Sequence, residues 1–131
     1  VTDHIYVHIG YADDAVRSTG GSRKLKRYTD SLQVLTAAVI KLYEQHCHKD
    51  ELIRRIGVSF EDLADRSAIP QEGDLFSTFT INTENKERQV QEAMLSIKEQ
   101  FGKNAILRAS SLQSEGTMRF RNTLIGGHNG E

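Results

Sequence analysis

The residue types that could do chemistry fall in three places: the neighbours Asp13 and Asp14, the group Glu61, Asp62 and Asp65, and the run His46-Cys47-His48. Phosphoryl transfer needs closely spaced carboxylates around metal ions. Adjacent side chains on an extended segment point to opposite sides, and no third carboxylate stands near Asp13 and Asp14 in sequence. The second group ends a strand-like stretch with no nucleotide-binding pattern beside it. A structural zinc site takes four nitrogen or sulfur ligands at defined spacings, and the chain has a single cysteine. Histidine at a helix C-terminus is favoured by the partial negative charge there, without any metal. Cys47 has no inferable activating partner. No catalytic residue, metal site or cofactor is therefore expected of this chain.

Binding chemistry is better supported. Between Arg17 and Tyr28 stand five basic residues (Arg17, Arg23, Lys24, Lys26, Arg27) and no acid. From Glu61 onward the balance reverses, with eleven acids against eight bases, so the net charge is only −1. A basic front and an acidic rear can hold a phosphate backbone on one face while the total stays near neutral. The chain has 131 residues, 37% of them hydrophobic and none of them Trp. That suits one modest domain plus solvated segments. No apolar run reaches the ~20 residues of a membrane span. One unpaired cysteine fits a reducing, cytoplasmic setting. The start at Val1, directly in a strand pattern, reads as a piece of a longer protein.

These residues must be positioned by strands and helices. Residues 4–10 alternate, with Ile5, Val7 and Ile9 on one side and Tyr6, His8 and Gly10 on the other, the period of a half-buried strand. A loop ending in Gly20-Gly21 leads to a second strand over 22–28, with Leu25 inward and Lys24, Lys26 and Tyr28 outward. Asp30 with Gln33 predicts a capping box. The helix behind it carries Leu32, Leu35, Val39, Leu42 and His46 at helical spacing. A third strand over 51–63 sets Ile56, Val58 and Phe60 against Arg55, Gly57 and Ser59. Residues 1–64 thus read as β-β-α-β: an α+β domain with an antiparallel sheet and helices on one face. Residues 65–83, with the lone Pro70, read as a linker. Thr83 predicts the start of a second helix over 84–101, capped by Gly102. Residues 104–109 predict a short strand, followed by a polar tail.

The segment I-R-R-I-G-V-S-F at 53–60 resembles the last strand of the little finger, or polymerase-associated, domain of bacterial Y-family translesion polymerases. I-G-Y at 9–11 and G-G-S-R-K-L-K at 20–26 are similar to the preceding hairpin in the UmuC-like ImpB/MucB/SamB branch. F-G-K-N-A-I-L-R-A-S-S-L at 101–112 and R-N-T-L-I-G-G-H at 121–128 are similar to that branch's tail. The resemblance implies a ferredoxin-like little finger lacking its first strand and helix. It also implies a role in DNA damage repair and bypass, and a Mg2+-dependent polymerase active site lying before Val1. The strand missing beside the third one implies that residues 104–109, or a second copy of the chain in a strand-paired homodimer, pair with an exposed edge.

With that resemblance, the open sheet face becomes a DNA grip. Lys24 and Lys26 on one strand and Arg55 and Ser59 on another, with Ser22, Arg23 and Arg54 beside them, would meet the phosphates of primer-template duplex without reading bases. Gln71-Glu72-Gly73-Asp74-Leu75-Phe76 resembles the bacterial sliding-clamp-binding peptide. Leu75 and Phe76 would enter an apolar pocket, with Gln71 and Asp74 orienting them. The ordinary readings are a solvated basic face, and Leu75-Phe76 packing on this domain's own core. The competing function is a stand-alone ferredoxin-like adaptor that binds RNA or an acidic protein; an independent small enzyme comes third.

Overall fold

In the computed structural model, which describes residues 1–70 and 75–124, the alternating apolar residues of the N-terminal strand lie at the centre of the sheet. The elements run β1 (Thr2–Tyr11), β2 (Thr19–Thr29), α1 (Leu32–His46), β3 (Ile53–Glu61), α2 (Leu75–Phe101) and α3 (Met118–Arg121). Short 3-10 turns lie at Arg66–Ala68 and Ala109–Leu112. Strand order is β2-β1-β3, with both pairings antiparallel. The α+β fold with a three-stranded antiparallel sheet is as expected from the alternation. No helix among the described residues is long and apolar enough to cross a membrane.

Ile5, Val7, Ile9 and Tyr11 project from one side of β1 and are buried there with Ala38 and Leu42 of α1. Leu25, Leu35, Val39 and Tyr43 close around them. Each fully buried aliphatic side chain stabilises the fold by roughly 1.5–3 kcal/mol. α1 lies chiefly over β2 and β1. The side chains of β3 that share the core face stay open: Ile56 is 49%, Val58 42% and Phe60 46% exposed.

The cap of α1 differs from the expected box. Ser31, not Asp30, is the N-cap, and its Oγ accepts the Val34 N–H at 3.4 Å. Asp30 is taken instead by the Arg66 guanidinium at 3.2 Å. A second cap comes from α2. Ser31 donates its hydroxyl to Glu87 at 2.7 Å, and Glu87 also accepts the Gln33 backbone N–H at 3.1 Å. Glu84, one turn earlier, is nearly buried and takes the Arg27 guanidinium and the Thr29 hydroxyl. Glu87 thereby takes an orphan donor at the positive end of α1.

Two expectations for the C-terminal half are corrected. The second helix begins at Leu75 rather than after Thr83, so the linker ahead of it is shorter than 65–83. Residues 76–83 contain no Gly or Pro to stop a helix, and the tie of Glu84 and Glu87 to the sheet domain holds their turn in place. Residues 104–109 are not a strand. No partner strand stands beside them among the described residues, and an unpaired strand leaves its ladder groups unsatisfied. They turn instead: the Ala105 N–H reaches the Gly102 carbonyl at 3.1 Å, and Gly102 itself has φ +95°. Asn122 donates to the Asn104 side chain at 2.8 Å and to the Lys103 carbonyl at 3.4 Å. The chain forms two compact units, Val1–Glu87 and Arg88–Glu131.

Candidate nucleic-acid interface

The face of the sheet away from α1 is built from the odd-one-out residues of the same alternation. β1 contributes His4, Tyr6, His8 and Gly10. Register sets Ser22 and Ser59 on either side of Tyr6, and Gly20 and Gly57 on either side of His8. Two ring side chains therefore rise from the middle strand between two rows of the smallest residues. Gly20 is required there: a Cβ would collide with the Val7 carbonyl oxygen. Gly21, on the other side, leaves room for the His46 ring. This explains the glycine pair and gives His46 a packing role. His48 lies against the Tyr11 ring with centroids 5.5 Å apart, and its backbone N–H donates to the Tyr11 hydroxyl. Tyr43 has its hydroxyl pKa raised above the ordinary tyrosine value, first by its hydrogen bond to Cys47.

The expected cations separate on inspection. Lys24 stands opposite His4 and Arg55 opposite Gly10, so both belong to the open face. They lie at opposite ends of it, six residues apart along β1, or about 20 Å. Lys26 does not keep the expected alternation. Between the pairs Thr2↔Thr29 and His4↔Lys24 the register shifts, so four β2 residues, 25–28, face the single residue Asp3. Lys26 falls in this irregular stretch and lines a cavity of about 340 Å³ with Arg27, Tyr28, Arg66 and Glu84. Arg23 is opposite Ile5, which turns it to the α1 side, where it is exposed. Arg54 sits in a second irregularity: Gly10 pairs with Arg55 and Tyr11 with Ile53, so Arg54 is an extra, unpaired residue. Such bulges bend the strand and re-aim side chains.

Charge partners differ at the two ends. The Lys24 ammonium is tied to Asp3 at 3.4 Å. Asp3 is buried, and its other oxygen has no partner among the described residues. Glu61 and Asp62 lie 3.7 and 3.6 Å from His4 at the same end. At the other end Arg55 has no ion-pair partner among the described residues, and Arg54 meets only the exposed Asp14, at 3.6 Å. Sequence reasoning passed over Arg17 and His8, which line a cleft of about 720 Å³ there. The basic run did contain Arg17; its nearness to Arg55 depends on the bulge and the loop, which periodicity does not reveal.

The acidic groups considered for chemistry have structural tasks. Asp13 accepts the Ala15 N–H at 2.9 Å and shapes the β1–β2 loop. Asp65 is held below its ordinary carboxylate range, first by the Ser67 hydroxyl and then by the Ser67 N–H. Of the clamp-type peptide, Gln71 and Asp74 lie outside the described residues, and Leu75 and Phe76 open the backbone of α2. The tail motif at Arg121 falls at the end of α3, and residues 125–131 lie outside the described residues.

The model of the impB/mucB/samB family C-terminal domain matches residues 1–75, which hold the whole sheet, α1 and the turn after β3. No curated protein and no solved structure matches the chain. With more than half of its residues in that match, the chain belongs to the impB/mucB/samB family, as a C-terminal domain of the UmuC-like Y-family DNA polymerases that serve DNA damage tolerance.

Proposed function

We propose that this domain is the non-catalytic DNA grip of a translesion polymerase, holding primer-template duplex by its phosphates on the open face of the sheet. The observation that supports it best is the face itself. Serines and glycines flank β1, exposed cations stand at its margins, and α1 packs on the opposite side. Small residues let a duplex approach the backbone, and phosphate contacts fix it without sequence preference. A fluorescence-anisotropy titration of labelled duplex at two salt concentrations tests this. Affinity should fall linearly with salt on logarithmic axes and should not depend on base sequence. Salt-insensitive binding, or none, overturns the reading.

Tethering to the bacterial sliding clamp through Gln71, Asp74, Leu75 and Phe76 is the second part of the proposal, supported by the spacing of those residues. Replacing Leu75 and Phe76 by alanine should abolish clamp capture and leave the melting temperature unchanged. A large fall in melting temperature would assign both residues to the core instead. The outer edge of β3 and its open apolar face support pairing with a second chain. Sedimentation across a concentration series, with a charged substitution at Val58, tests that. The domain would work in the cytoplasm and carry no cofactor of its own, Mg2+ belonging to the catalytic part of a parent polymerase.

A further inference from the structure

We propose that the phosphate-holding end of the open face is the cleft where the β1–β2 loop meets the start of β3, with Arg17, Arg54 and Arg55 as its cations, and that the Lys24 end holds no phosphate. The inference rests on the duplex-binding reading above and says where on the face the nucleic-acid backbone is fixed.

Three observations carry it. The bulge at Arg54 brings two consecutive arginines to one strand end, where strict alternation would have sent one of them to the α1 side. The loop is held against that end: Ala12 donates its N–H to the Leu52 carbonyl at 2.8 Å, and the turn is closed by Val16 N–H to the Asp13 carbonyl at 3.0 Å. Arg17, which follows this turn, is thus stationed beside Arg54 and Arg55 on the rim of one cleft. Finally, the charges are distributed unequally. The cleft sets three guanidinium groups against two exposed carboxylates, one of them already used in the turn. The far end sets one ammonium against Asp3, Glu61 and Asp62. A phosphodiester approaching Lys24 would meet a cation already matched by a buried carboxylate, with two more acids beside it. Guanidinium groups also present planar forks suited to phosphate oxygens. The chemistry fits consecutive phosphodiesters of one nucleic-acid strand.

Single substitutions Arg17→Ala, Arg55→Ala and Lys24→Ala, with Asp14→Asn, separate the two ends in the same anisotropy titration. All four sites are exposed, and thermal melts check that folding is kept. Arg17→Ala and Arg55→Ala should each reduce the salt slope by about 0.9 and weaken binding about fivefold near 0.15 M salt, the expected loss of one phosphate contact. Lys24→Ala should change neither. Asp14→Asn, which releases Arg54, should tighten binding. If Lys24→Ala weakens binding as much as Arg55→Ala, or if the arginine variants bind like wild type, this assignment is wrong while the duplex-binding reading survives. Absence of wild-type binding at every salt concentration overturns both.

Discussion

β2 and β3 flank the same central strand, yet their core-side residues have different surroundings. On the β2 side, Leu25 packs beneath α1, and Val7 and Leu42 are almost wholly buried. On the β3 side, Ile56, Val58 and Phe60 face the same direction and keep nearly half of their surface. Alternation sets which way a side chain points. Whether it is buried depends on where the helix lies, and α1 lies over β2 and β1. A clear apolar alternation therefore does not by itself mean burial or a contribution to stability.

The largest expected effect sharpens this contrast. Leu42→Ala should cost about 2–5 kcal/mol in urea unfolding, as a large-to-small change in a closed core. Val58→Ser should fall within about 0.5 kcal/mol of wild type in protein dilute enough to be monomeric, as for a surface position. A comparable loss at both would mean that the β3 face is covered in solution. Next come the glycines. Gly21→Val forces the His46 ring aside and should cost about 1–3 kcal/mol. Gly57→Ala meets only the His8 Cβ, at 3.9 Å, and should leave the melting temperature nearly unchanged. Smaller again is Ser31→Ala, at about 1 kcal/mol for a lost N-cap. Glu87→Ala should act on the same helix end, so the double variant should lose less than the two single losses added together.

The smallest effect is set by pH. Asp65 has a folded-state pKa below its unfolded value. Its contribution is present above the ordinary carboxylate range and disappears as pH falls through the lowered value. Asp65→Asn should therefore flatten the acid limb of the stability curve slightly, with a small loss at neutral pH that vanishes at low pH. A steeper acid limb in the variant would contradict that sign.

The three strands, α1 and the parity of both faces were legible because the apolar residues repeat every two or every 3.6 positions. What was not legible came from interactions between distant residues. Ser31 replaced Asp30 as cap because Arg66, 36 residues away, takes Asp30. The start of α2 was hidden because the lone Pro70, Gly73 and the Ser, Thr and Asn residues of 77–83 read as a linker, although nothing in 77–83 forbids a helix. In the interface, Lys24 and Arg55 share a face as their alternation implied, whereas Lys26 left it through a register shift that no local pattern announces. The partnership of Lys24 with Asp3 is also invisible in sequence, because only the fold shows which carboxylate comes within reach of it.

One extra residue at the entry of β3 has a further consequence. Removing Arg54 would make the strand's first positions obey the parity of its body. Ile53 already pairs with Tyr11 and Arg55 with Gly10, so both pairings would survive and only the extra guanidinium would be lost. The Leu52 carbonyl would keep the Ala12 N–H, so the hairpin loop and Arg17 would stay beside Arg55. A single-codon deletion there should thus weaken the cationic corner by one guanidinium while leaving the buried centre of the sheet intact.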